Sequence, residues 1–178
     1  MADSNRQLAR RLARGEEAAF ADLYDACSPR LLRYLAMRLA SADKAADVLQ
    51  TAMLRAVRSR RRFAKVDSPA AYLFQIARNE AARLAKRTAR RAEQTLTAEQ
   101  MLELIDETND CREDAEIVVA ALARLSTEDC ELVQLKIYAG LTFREIAVVT
   151  GRPQATVATR YRRALDTMRP WLVKQYQD

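Results

Sequence analysis

The stretch LTFREIAVVTGRPQATVATRYRRAL, residues 141–165, reads as two short helices joined at Gly151, the second carrying arginines on its outer face. Thr142 with Glu145 three residues later forms a capping box, in which each side chain satisfies a backbone donor at the helix start. Ile146 and Ala147 are the inward positions of that first helix. Gly151 can take the positive φ that ends it, and Pro153 suits the first turn of the next. With Val157 as the inward reference at about 100° per residue, Tyr161, Ala164, Leu165 and Met168 share its face. Ala155, Thr159, Arg162 and Arg163 then face outward. This is the pattern of a helix-turn-helix: a small Ala155 lets the helix approach a major groove, and the arginines can reach phosphates or guanine edges. An ordinary helical hairpin with a solvated charged face fits the same segment, so the choice rests on the rest of the chain.

The 178 residues suffice for one domain or two small ones, and a hydrophobic content of 49% supports packed cores. Three glycines and four prolines are the only strong breakers, while alanine, leucine and arginine fill long periodic segments with little β-branched alternation. An all-α chain is expected. No apolar run approaches the roughly 18 residues of a membrane span, and no apolar signal core follows the N-terminal charges, so the expectation is a cytoplasmic protein without membrane insertion. Cys27, Cys111 and Cys130 are odd in number and show no CxxC spacing, and the chain has no histidine. Neither a disulfide framework nor a metal or cofactor site is indicated, and the commonest general base is missing. No glycine-rich phosphate loop or nucleophile–base pair appears either, so the chain reads as a non-enzyme.

The net charge of +6 is unevenly spread. Residues 1–92 carry 20 Lys and Arg against 9 Asp and Glu; residues 93–116 carry 1 against 9; residues 117–178 carry 9 against 6. Two basic arms thus flank an acidic connector, and basic arms suit a polyanion such as nucleic acid, a membrane surface or an acidic protein. The expected organisation is two small helical domains, residues 1–92 and 115–178, joined by an acidic linker over residues 93–114. Within that linker Leu96, Met101, Leu102 and Ile105 could form a short helix.

In the N-terminal arm one helix is expected from Asn5 to Arg14 and a second from Glu16, carrying Phe20, Leu23, Leu31 and Leu35, with Pro29 kinking or dividing it. A third, from Ser41 to Arg58, places Leu49, Ala52, Met53, Ala56 and Val57 inward. Its opposite face holds Asp47, Gln50, Thr51, Leu54, Arg55 and Arg58, where an apolar Leu54 among polar groups is either a docking point for a partner or an incidental exposed leucine. After a basic, non-periodic stretch, Ser68 and Pro69 open a helix reaching about Arg87, with Leu73, Ile76, Ala77 and Leu84 inward and Gln75, Arg78, Asn79 and Lys86 outward. Glu80 falls near the inner stripe without a local explanation. In the stretch itself Arg60, Arg61, Arg62 and Lys65 surround Phe63, cations that can track a phosphate backbone beside a ring that can stack on an unpaired base. Phe74 reads as core.

These constellations, in this order, resemble the sigma factors of bacterial RNA polymerase, specifically the compact ECF (extracytoplasmic function) type. Gly15-Glu16-Glu17-Ala18-Ala19-Phe20 with Leu23-Tyr24 looks like the family's region 2.1, and Asp47-Val48-Leu49-Gln50 with Leu54-Arg55-Ala56 is similar to its region 2.2. Tyr72-Leu73-Phe74 and Ile76-Ala77-Arg78-Asn79 resemble region 2.4, and Leu122 to Trp171 looks like region 4. The resemblance implies that Asp47, Gln50 and Leu54 bind the clamp of core RNA polymerase. It also implies that Arg60, Arg61, Arg62, Phe63, Lys65, Arg78 and Asn79 read and melt the −10 element, with single-stranded DNA as ligand. Ala155, Thr159, Arg162 and Arg163 would hold the −35 element as duplex. An anti-sigma factor is a further partner the resemblance implies, although no residue identifies one. The chain departs from the family pattern at Thr51-Ala52-Met53, where Glu-Thr-Phe is usual, and at Ala158, where Lys or Arg is common. The alternative in another class is a stand-alone helix-turn-helix regulator, which binds duplex DNA, typically at a palindromic site, without being a polymerase subunit.

Overall fold

The computed structural model describes residues 2–89 and 112–175, and among these every regular element is helical. The N-terminal half comprises α1 (Ala2–Arg14), α2 (Glu17–Leu39), α3 (Ala42–Arg58), a 3₁₀ helix (Arg60–Lys65) and α4 (Pro69–Ala89); the C-terminal half comprises α5 (Arg112–Leu122), α6 (Thr127–Ile137), α7 (Phe143–Thr150) and α8 (Gln154–Gln175). The expected short helix around Leu96 to Ile105, most of the acidic linker and Cys111 lie outside the described residues.

Local signals place the helix ends. The Ser41 hydroxyl accepts from the Lys44 amide at 3.2 Å to open α3, and Ser68 does the same for Ala71 at 3.2 Å to open α4. Pro29 does not divide α2, which runs unbroken on both sides of it. Its ring lies on the exposed side while Cys27, Ser28 and Leu31 are buried, so both halves of the helix are held on one core despite the missing amide donor.

The core of the N-terminal half is aromatic. Phe63 packs edge-on against Phe20, with ring centroids 6.1 Å apart, and against Tyr72 at 5.1 Å, while Tyr34 meets Phe74 at 6.0 Å. The inward stripe of α3 is Ala45, Val48, Leu49, Ala52 and Ala56. It is rotated from the expected one, leaving Val57 exposed and Met53 only partly buried. Glu80 is also explained: its buried carboxylate pairs with Arg55 at 2.8 Å and Arg83 at 2.9 Å, so a charge near the inner stripe is compensated by two guanidiniums.

The two halves pack against each other. Leu132, Leu135, Leu141, Ile146, Val149 and Val157 join the same buried cluster as the N-terminal helices, and Met37 of α2 reaches into a second cluster with Leu122, Val133, Ala164 and Met168. In α6, Glu131 through Leu135 are all buried, as expected of a helix enclosed on every side. At the turn between α7 and α8, Gly151 has φ of 68°, and a Cβ added there would meet nothing within 4 Å. Gly151→Ala therefore introduces only the left-handed backbone cost of about 1–2 kcal/mol, which urea unfolding should show as a shifted midpoint with unchanged slope.

Candidate nucleic-acid interface

The helix-turn-helix forms as its sequence specifies. Thr142 accepts from the Glu145 amide at 3.2 Å, and the Glu145 carboxylate accepts from the Thr142 amide at 2.9 Å, completing the capping box. Pro153 stands just before α8, its carbonyl accepting from the Val157 amide at 3.0 Å, one position earlier than the first-turn place expected of it. Val157, Ala164 and Met168 are buried, and Tyr161 is half-buried with its ring 5.4 Å from that of Phe143. Leu165 is 37% exposed rather than inward, because Ala164 and Met168 already fill the seam against α5 and α6. Ala155, Thr159, Arg162 and Arg163 all face solvent, and neither arginine is paired with a carboxylate among the described residues. Arg160, which the sequence did not single out, instead bonds Asp129 at 2.8 Å and Glu128, fastening α8 to the start of α6. The Arg160 and Arg152 guanidiniums hold the Glu128 carboxyl below its ordinary range.

On α3 the outer face is as expected: Asp47, Gln50, Thr51 and Leu54 are exposed, Leu54 at 54%. Asp47 and Gln50 border a groove of about 600 Å³ between α2 and α3 whose walls include Phe20, Tyr24, Leu32 and Met53. Leu54 stands one turn beyond, outside the groove lining. Tyr24, itself 43% exposed, completes an apolar strip that sequence spacing did not reveal, since it comes from a different helix.

The basic segment is a 3₁₀ helix with Arg60, Arg61, Arg62 and Lys65 exposed and free of carboxylate partners among the described residues. Phe63 corrects the expectation of a stacking ring. It is 0% exposed, because the tight 3₁₀ turn points it inward between Phe20 and Tyr72, so it holds the segment in place instead of meeting a base. Arg62 and Asn79 share a hollow of about 340 Å³ with Arg55, Arg58, Tyr72 and Arg83. The structure thus recruits Arg55, Arg58 and Arg83, whose contribution depends on how α3 and α4 cross.

Arg78 is a second correction. It does not point to solvent: its Nε and Nη2 donate to Glu131 Oε1 and Oε2 at 2.9 and 3.0 Å, a two-pronged contact with the C-terminal half. The same carboxylate accepts from Tyr34 Oη at 2.8 Å and from Arg38. Burial opposes ionisation of Glu131, but the Arg78 and Arg38 guanidiniums outweigh it and hold the carboxyl below its ordinary value. A group stabilised in its charged form contributes fully above the ordinary glutamate range, near 4.3, and loses that contribution as pH falls through its lower folded value. Unfolding free energy, followed in urea, should therefore fall as pH drops below about 4.3, and by less in Glu131→Gln.

A model of Sigma-70 region 2 matches residues 23–91 and one of Sigma-70 region 4 matches residues 115–168, in the order of the two halves just described. Across 88% of its length the chain is 32% identical to the ECF RNA polymerase sigma factor SigL of Mycobacterium tuberculosis, covering 90% of that protein. The chain belongs to the ECF sigma factors. It is also 31% identical over 91% of its length to the ECF RNA polymerase sigma factor BldN of Streptomyces coelicolor, of which it spans 63%. Two solved structures share the fold of this sigma factor. CnrH in complex with the cytosolic domain of CnrY superposes with a TM-score of 0.67 at 22% identity, covering 96% of this chain and 97% of CnrH. The sigma factor RpoE of Bartonella quintana, in complex with the anti-sigma factor NepR, superposes with a TM-score of 0.69 at 21% identity, over 86% and 96% of the two chains. Among the described residues of the sigma factor no helix is long and apolar enough to cross a membrane, and no group of His, Cys, Asp and Glu could hold a metal ion.

Proposed function

We propose that this sigma factor binds core RNA polymerase through Asp47, Gln50 and Leu54 and directs initiation at specific promoters from the cytoplasm. Arg60, Arg61, Arg62, Lys65 and Asn79 engage the −10 strand as it opens, and Ala155, Thr159, Arg162 and Arg163 hold the −35 duplex. It acts by binding, with no chemistry of its own. Residues 1–92 and 115–178 divide these tasks, with the acidic segment between them as a connector. An anti-sigma factor is a candidate partner, since both structural neighbours are complexes of that kind of protein or of a cytosolic domain. The observation that carries the reading is the occurrence of two sigma regions in order on one chain, each presenting an unpaired basic surface.

Reconstitution with core polymerase and sequencing of transcript starts tests it. Discrete starts preceded by a common pair of elements are expected. Arg162→Ala should weaken −35 duplex binding by about 1–3 kcal/mol, with the loss concentrated at one base pair if the arginine reads a guanine. Protection of a palindrome by the protein alone, with no specific start on adding core enzyme, would instead establish the stand-alone regulator.

A further inference from the structure

The function proposed above makes no use of Glu131, yet this residue has the most complete set of partners among the described carboxylates. It is 6% exposed on α6 and receives hydrogen bonds from Tyr34 and Arg38 of α2 and from both prongs of Arg78 on α4. One side chain of the C-terminal half thereby ties down two helices of the N-terminal half. Lesser contacts surround it: Gln75 donates to the Val148 carbonyl at 2.9 Å, Ser68 to Glu145 at 2.8 Å, Arg30 to the Ala139 carbonyl at 3.0 Å, and Arg144 pairs with Asp67 at the exposed rim.

A buried carboxylate is costly unless its partners are well placed, and a buried ion set is often no more stabilising than an apolar one. What this set does supply is selectivity for one anion. The forked guanidinium that holds a carboxylate with two parallel bonds holds a phosphate in the same way. Arg78 lies one residue from Asn79, which remains exposed in the hollow with Arg62. The arginines therefore adjoin the surface assigned above to the opened −10 strand.

We propose that Arg38, Arg78 and the Tyr34 hydroxyl form a phosphate site for that strand, and that Glu131 occupies it in the free protein. The C-terminal half and the DNA backbone then compete for the same two arginines, and full engagement of single-stranded DNA requires α6 to lift from α4. The −35 face is outside this competition, because Thr159, Arg162 and Arg163 are exposed with the halves closed. This inference rests on the reading of α4 as the −10 helix.

The test is fluorescence anisotropy on the full chain, using a short labelled single-stranded DNA of mixed sequence and, separately, a promoter duplex carrying the −35 element. Glu131→Gln should bind the single strand about fivefold or more tightly, since the competent state no longer has to be released from the carboxylate. Its salt dependence should steepen by about 0.7 in log–log slope for one added phosphate contact, and duplex affinity should not change. Because Glu131→Gln leaves two guanidiniums without a counter-charge and could fold poorly, the double variant Gln75→Ala with Arg144→Ala loosens the same contact from its rim; about a twofold gain is expected. Variants that are folded by circular dichroism and expanded by small-angle scattering, with single-strand affinity and slope unchanged, overturn the proposal. If promoter-specific starts still appear with core enzyme, the proposal falls alone; if no form binds DNA and no start appears, the sigma reading falls and takes the competition with it.

Discussion

Phe63→Ala is expected to lower the unfolding free energy by about 3–5 kcal/mol, a large share of the 5–15 kcal/mol typical of a domain. The ring is fully buried and sits between two others, Phe20 from α2 and Tyr72 from α4, both edge-on. Three elements therefore frame the space it fills, and none can close on a cavity without moving a helix. Truncation also unseats the 3₁₀ helix, whose Arg60, Arg61, Arg62 and Lys65 depend on that anchor for their position. Phe63→Leu, which refills much of the volume, should cost less than half as much and leave single-strand DNA affinity unchanged. Denaturant unfolding of both variants, read beside anisotropy with single-stranded DNA, separates packing from stacking. A loss of stability below about 1 kcal/mol in Phe63→Ala, together with weakened DNA binding in Phe63→Leu, would return the ring to the role of a base platform.

Phe63 shows where the sequence stops being legible. Flanked by cations in a stretch without period, it carries the local signature of an exposed ring, and only the approach of α2 and α4 encloses it. The helix ends needed no such knowledge. Ser41, Ser68, Thr142 with Glu145, and Gly151 act on backbone groups within three or four residues, so their chemistry is complete in the local string. Faces were intermediate. A helical wheel assigns an inner side relative to one neighbour, and it placed Leu49, Ala52, Val157 and Met168 correctly because each meets one packing partner. It failed for α4, which is covered on one side by its own half and on another by α6 and α7. Gln75 and Arg78 lie on that second covered side.

Glu131 is the extreme case, since residue type predicts exposure and its partners lie 53 to 97 residues away. The one local hint is its setting beside Leu132, Val133 and Leu135, an apolar run too dense for a helix with a solvated side. Of the surfaces assigned to ligands, the outer face of α8 and the outer face of α3 were readable for a physical reason. Binding surfaces on a solvated helix keep their own period, undisturbed by packing.

Leu54→Lys takes advantage of that independence. Leu54 is about half exposed on a helix whose core contacts come from Ala45, Val48, Leu49, Ala52 and Ala56, and lysine is nearly as good a helix former as leucine. Stability should stay within about 0.5 kcal/mol of the parent. Binding to core polymerase should respond very differently. An apolar side chain ringed by Asp47, Gln50 and Thr51 has the composition of an interface anchor, in which polar neighbours exclude water around a desolvated centre. Replacing it with a charge removes at least about 2 kcal/mol, some 30-fold in affinity. Gln50→Ala, at the rim, should cost only a few-fold. The groove beside it adds Tyr24 from α2 to the same surface, so Tyr24→Ala should weaken core binding while leaving duplex binding by Arg162 and Arg163 untouched. Titration of labelled protein against core enzyme gives the affinities, and the −35 duplex serves as the control on the same preparations. Equal core affinity for Leu54→Lys and the parent would mean that this side of α3 is an ordinary solvated face, and that the polymerase contact must be sought on another helix.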